Sequence, residues 1–188
     1  KPTGEAIQPV QAVKADAEAE AEKVDPEAIP AGETPVWNVA PGARLGFSTS
    51  YAGSAIDGRF GSFRADIRFN PDALVKSRIR VTIPLTSANS ADDERDTSLK
   101  GPEFFDTANH PQAVWTSSGI RHLGGKRYRA NGTLSLRGIS RPVPLTFTLD
   151  LDGKNARVNG NASLRRLAFG VGQGEFAATD TIPDAVNV

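Results

Sequence analysis

The chain has 188 residues, and its 22 Lys and Arg balance 22 Asp and Glu, so the formal net charge is zero. A nucleic-acid binder would carry a basic excess, and the balance argues against one. Hydrophobic residues make up 38% with 18 Gly and 13 Pro, which suits a turn-rich β domain and not a helical bundle; the absence of Cys excludes disulfides, thiolate metal sites and thiol catalysis.

No apolar run approaches the roughly 20 residues of a membrane-spanning helix. The chain starts at Lys1 with no signal-peptide pattern, and reads as a processed or trimmed piece of something longer. Residues 1–34 stand apart. Val13 to Glu27 is almost all Ala, Glu, Lys and Asp, with Pro26 and Pro30 close behind and no apolar stripe for packing. This composition predicts a solvated, flexible linker or tail, with a short transient helix as its most ordered form.

From Val36 onward the pattern turns to period two. Trp37–Thr49 is a first, short candidate strand. Phe63, Ala65, Ile67 and Phe69 then alternate with Arg64, Asp66 and Arg68, and the turn Asn70-Pro71-Asp72 follows. Ile79, Val81, Ile83 and Leu85 alternate with Arg78, Arg80 and Thr82. Ser90 to Phe105 breaks the rule: it is polar, with Leu99, Phe104 and Phe105 as its apolar contacts. It reads as a helix over 92–100, with Ser90 placed to cap it, Asp92, Asp93 and Glu94 in the first turn, and Gly101-Pro102 as its stop. Gln112–Ile120 is another strand. Tyr128, Ala130, Gly132, Leu134 and Leu136 form the next after the Gly124-Gly125 turn. Val143, Leu145, Phe147, Leu149 and Leu151 form one more, and Ala156, Val158, Gly160, Ala162 and Leu164 another beyond Asp152-Gly153. Gly174–Val188 is the last. About eight antiparallel strands with one helical segment predict an all-β, closed up-and-down barrel with a helical lid. Eight strands enclose either a side-chain-filled interior or one that holds a single small ligand, and counting residues does not decide between them.

A catalytic set is not legible. His110, before Pro111, and His122, near the Gly124-Gly125 turn, are the only histidines and have no partner at metal spacing, so both read as surface or turn residues. Gly170-Val171-Gly172-Gln173-Gly174 precedes a strand and not a helix, which suits a bulge or tight turn and not a phosphate cradle. Arg95 lies among Asp92, Asp93, Glu94 and Asp96; it is expected to pair with these neighbours and tie the helix to the barrel, since four carboxylates would repel a ligand phosphate. The faces read as inward are nearly free of Asp, Glu, His and Lys, so the chain is expected not to be an enzyme.

Several stretches together resemble the YceI-like, polyisoprenoid-binding family. They are Trp37-Asn38-Val39 with Leu45-Gly46-Phe47; Gly58-Arg59-Phe60-Gly61-Ser62-Phe63; Asn70-Pro71-Asp72 with Ser77 to Ile83; and Glu94-Arg95-Asp96 with Leu99 and Phe104-Phe105-Asp106. Further on are Pro111 to Ser117, Gly132 to Gly138 with Pro142-Val143, and Arg166 with Phe169-Gly170. The sequence departs from the family pattern at Ala168, where an acidic residue is common, and at Trp115, usually Phe.

The resemblance implies a lipocalin-like barrel over 35–188, in the bacterial periplasm, whose tunnel carries a polyisoprenoid or isoprenoid quinone as its only bound group. The Ala/Glu linker and the Gly170–Gly174 run resemble the subgroup joined to a di-haem cytochrome b membrane domain, which implies tethering to the inner membrane and a cytochrome partner. On this reading Phe47, Phe63, Phe69, Ile83, Trp115, Leu134, Leu136, Leu145 and Phe147 line the ligand, and Leu99, Phe104 and Phe105 cover one end. The rival is a filled barrel that serves as a structural or partner-binding module.

Overall fold

A computed structural model describes residues 34–188 and the backbone of Val13–Lys14; the expected linker over 1–34 lies almost wholly outside the described residues. Among the described residues fourteen strands follow in chain order. They are β1 (Val13–Lys14), β2 (Val36–Val39), β3 (Leu45–Tyr51), β4 (Ser54–Phe60), β5 (Arg64–Arg68), β6 (Arg78–Pro84) and β7 (Ala88–Asn89), then, after helix α1 (Asp93–Lys100), β8 (Gln112–Gly124), β9 (Arg127–Leu136), β10 (Ile139–Pro142), β11 (Leu145–Asp152), β12 (Asn155–Asn161), β13 (Ser163–Arg165) and β14 (Ala185–Asn187). Every pairing is antiparallel.

The fold is all-β with one α-helix among the described residues, as expected, but the hydrogen bonding is not carried by a single sheet. It is divided between a sheet in the order β10-β9-β11-β12-β1-β2-β5-β6-β8, in which β9 also pairs with β8, and a second in the order β13-β14-β3-β4-β7. The breaks have local causes. Ala40-Pro41-Gly42 separates β2 from β3, and Val143-Pro144 separates β10 from β11; proline has no N–H to give to a ladder. The strand expected over Trp37–Thr49 is thus two strands. Gly174–Val188 is not a strand along its length either: Gly174–Ala177 is a 3-10 turn, and only Ala185–Asn187 pairs, with β13 and β3.

The sheets curl about one apolar interior, because the apolar residues of each strand recur at every second position and so share a face. β9 alternates buried Tyr128, Ala130, Gly132, Leu134 and Leu136 with more exposed neighbours. Two glycines admit large rings by close approach: a Cβ on Gly58 would overlap the Phe47 ring, and one on Gly132 would overlap the Trp115 indole. At one end of the interior, Phe69, Tyr128 and Phe147 form an aromatic cluster with centroids 5.5–6.3 Å apart.

Helix α1 closes the other end. Its cap is Asp92, whose carboxylate accepts the Arg95 N–H at 2.9 Å, and not Ser90. Ser90 is buried and sits two residues earlier: its N–H and Oγ donate to Asp96 Oδ1 at 2.8 and 2.5 Å. The Arg95 guanidinium donates to Ser90 Oγ and Ser90 O, both at 2.9 Å, so it ties α1 to the end of β7 through Ser90 and not through the neighbouring carboxylates. The chain then turns at Gly101. Phe104 and Phe105 fold back under the helix, held by the Phe105 N–H on Leu99 O at 2.9 Å and by Arg137, which donates to Pro102 O and Phe104 O.

Candidate functional site

The interior holds a cavity of about 300 Å³. All twelve residues singled out from the sequence line it. Phe47, Phe63, Phe69, Ile83, Trp115, Leu134, Leu136, Leu145 and Phe147 come from the walls; Leu99, Phe104 and Phe105 come from the α1 end. The long sequence separations are bridged by register: Trp115 lies opposite Leu134 and Val81, and Ile83 lies opposite Ala113. The two Trp side chains are fixed by their N–H groups. Trp37 Nε1 donates to Phe69 O at 2.9 Å and Trp115 Nε1 to Val143 O at 2.8 Å, so both rings face the cavity without an unpaired polar atom.

Other lining residues were legible but not singled out. Ile79, Val81 and Leu85 share the alternation of Ile83. Val171 and Ile182 carried no periodic signal, because their segment is not a strand. It is organised instead by Arg166, only 3% exposed, whose guanidinium donates to Pro183 O, Val171 O and Ile182 O at 3.0, 3.0 and 2.7 Å. Burial pushes its pKa down, and nearby Asp184 opposes that shift. Gly172 packs against this guanidinium so closely that a Cβ there would collide with it. This packing accounts for the Gly-rich run as a turn around Arg166.

Polar groups on the lining are few: Arg44, Thr49 and Arg166. Thr49 shares the inward face of β3 with Leu45 and Phe47, and its Oγ1 is buried with no hydrogen-bond partner. Neither histidine approaches the cavity. His122 Nε2–H donates to Gly125 O at 2.6 Å and its ring lies 4.9 Å from Tyr128, while His110 stands 3.9 Å from Asp106. Chemically the site can enclose an apolar chain and offer it one hydroxyl.

Comparison with known proteins agrees with this geometry. The family described as the YceI-like domain matches residues 37–188. UPF0312 proteins of Azotobacter vinelandii and Photorhabdus laumondii are similar, at 28% identity over 136 residues and 32% over 114 residues. The alignments cover 69% and 60% of this chain, and 71% and 59% of those relatives. The crystal structure of BcnA from Burkholderia cenocepacia superposes with a TM-score of 0.73 at 28% identity, covering 77% of this chain and 91% of that one. A polyisoprenoid binding domain from Saccharophagus degradans, implicated in plant cell wall breakdown, superposes with a TM-score of 0.55 over 77% of this chain and 88% of that one; at 14% identity that likeness carries the fold alone.

Proposed function

The chain belongs to the YceI-like family, and on that premise we propose that it is a non-catalytic binding or carrier domain for a long apolar ligand, a polyisoprenoid or an isoprenoid quinone, working in the bacterial periplasm. The observation that carries the reading is the apolar cavity with a single unpartnered hydroxyl, Thr49 Oγ1, on its wall. On this reading strand β14 completes the wall as a lipocalin-like closed barrel, by pairing with both β13 and β3.

Two magnitudes shape the proposal. A cavity of roughly 150 Å³ accommodates one benzene. The interior here is about twice that, enough for about a dozen carbons as it stands. A benzoquinone ring and its first isoprene unit fill it; the rest of the tail leaves through an end. The second magnitude is the driving force. Burial from water gains about 0.8 kcal/mol per carbon, but the tail starts in a bilayer that is already apolar, so this term nearly cancels and exchange stays reversible. Selectivity then falls to shape and to polar contacts. A hydroxyl left unpaired in an apolar site costs roughly 1–3 kcal/mol, and a ligand oxygen at Thr49 Oγ1 removes that cost, whereas a pure hydrocarbon does not. The cavity also weighs against the filled, purely structural barrel.

Trp37 and Trp115 are the chain's only tryptophans and both line the cavity, so a prenyl quinone bound inside should quench nearly all of the intrinsic fluorescence. Saturable quenching, with a matching lipid mass in native mass spectrometry of detergent-free protein, supports the carrier. A ligand-free mass and no saturable quenching would refute it.

A further inference from the structure

Three connections meet at the end of the fold opposite α1: β5 to β6, β8 to β9, and β11 to β12. They are neighbours. The 3-10 turn Leu74–Lys76 packs against β8, Lys126 Nζ lies 3.0 Å from Asp150 Oδ1, and the Leu149 N–H donates to Lys126 O at 2.8 Å. Each connection displays a large apolar side chain: Val75 is 88% exposed, Leu123 43% and Leu151 40%. Val75 does not project because its turn is loose. The turn is built on Ser77, fully buried, whose Oγ accepts the Asn70 N–H at 3.0 Å. Arg78 Nη1 donates to Val75 O and Ser77 O at 2.8 and 2.7 Å. A tied turn holds the valine out in water.

The same end is basic. The first connection and its flanks carry Arg68, Lys76 and Arg78 against Asp72. The second carries Arg121, Lys126, Arg127 and Arg129 with no acid. The third carries Lys154 and Arg157 against Asp150 and Asp152. Nine cations thus face three carboxylates in a chain of zero formal net charge, while Asp92, Asp93, Glu94 and Asp96 gather at the α1 end. Arg68 is directly opposite Arg78, and Arg121 directly opposite Arg129. Like charges across a strand pair are destabilising, and an anionic partner relieves them.

We infer that this end is a docking face for a bilayer bearing anionic lipid headgroups. Val75, Leu123 and Leu151 enter the boundary between headgroups and acyl chains, and the surrounding Arg and Lys pair with headgroup phosphates. Leu151 also lines the cavity, so docking sets this end of the cavity against the membrane. The inference goes beyond the carrier reading and concerns the surface alone. It is tested without any ligand, so the two can fail separately.

The experiment is flotation of the full chain with phosphatidylglycerol–phosphatidylcholine vesicles and with pure phosphatidylcholine vesicles, at low and high salt. The expected result is at least ~10-fold tighter binding to the anionic vesicles, weakened by salt. The double variants Val75→Ser/Leu123→Ser and Lys76→Glu/Lys154→Glu should each lose ~10-fold or more with an unchanged circular dichroism spectrum. All four side chains are exposed, so folding is not at stake. Equal binding to both vesicles, or variants that bind like the parent, overturns the inference. Residues 1–33 hold eight acids and three bases and are the rival occupant. If only a chain with those acids replaced by amides binds, the face belongs to the tail and the inference is also overturned.

Discussion

Replacing Gly132 by Ala tests whether the interior is packed as described around Trp115. An added Cβ would overlap the six-membered part of the indole and stand 2.8 Å from the Thr116 carbonyl oxygen. Neither neighbour yields easily. The indole is held by its hydrogen bond to Val143 O, and Val143 is itself bonded back to Gly132 O at 2.9 Å. Overpacking of this kind costs about 1–3 kcal/mol. Losing the Trp115 bond adds about 0.5–1.5 kcal/mol. Against these, Ala in place of Gly in a strand recovers about 0.5–1 kcal/mol of chain entropy. The steric terms win, and the net loss should be about 1–3 kcal/mol, read as a fall of roughly 1 M in the urea midpoint. The diagnostic is the double-mutant cycle with Trp115→Phe, whose smaller ring removes part of the overlap. Gly132→Ala should then cost about 1 kcal/mol less than in the parent. An equal cost in both backgrounds would show that Trp115 does not lie over Gly132.

Three further outcomes follow from the same geometry. Leu134→Trp keeps the wall apolar but fills space opposite Trp115, so the folded variant should lose prenyl-quinone uptake; uptake equal to the parent's would refute an axial ligand. Thr49→Val should stabilise the empty protein by roughly 1 kcal/mol, since it removes an orphan hydroxyl. It should also erase the preference for a prenyl quinone over a hydrocarbon such as squalene, and a preference that survives would place the headgroup elsewhere. Tyr128 has its pKa raised by burial and secondarily by Asp72. A raised folded-state pKa means that the tyrosine's contribution is complete below the unfolded value near 10 and is lost as pH climbs from there through the folded value. Stability measured by urea titration should therefore drop above about pH 10, and Tyr128→Phe should flatten that slope.

Which side of each strand faces inward was legible in the chain itself. Side chains alternate with period two, so Phe63-Ala65-Ile67-Phe69 or Val143-Leu145-Phe147-Leu149 declares its buried face without knowledge of any partner strand. For that reason all twelve residues chosen from these faces and the helical segment lie on one cavity. The helix was legible as well, from its polarity and its Gly-Pro stop. Its cap was not: Ser90 and Asp92 are equally good cap residues, and what decides is that Ser90 is drawn into a buried bond with Asp96. The long loop around Arg166 was equally hidden, because side-chain bonding to backbone carbonyls leaves no periodic trace. The orphan hydroxyl of Thr49, the fit of Trp115 over Gly132, and the meeting of Val75, Leu123 and Leu151 at one basic end depend on which strands are neighbours and in what register. Those are long-range relations, and only the tertiary structure decides them: strand faces follow from local alternation, but neighbours follow from how the whole chain closes on itself.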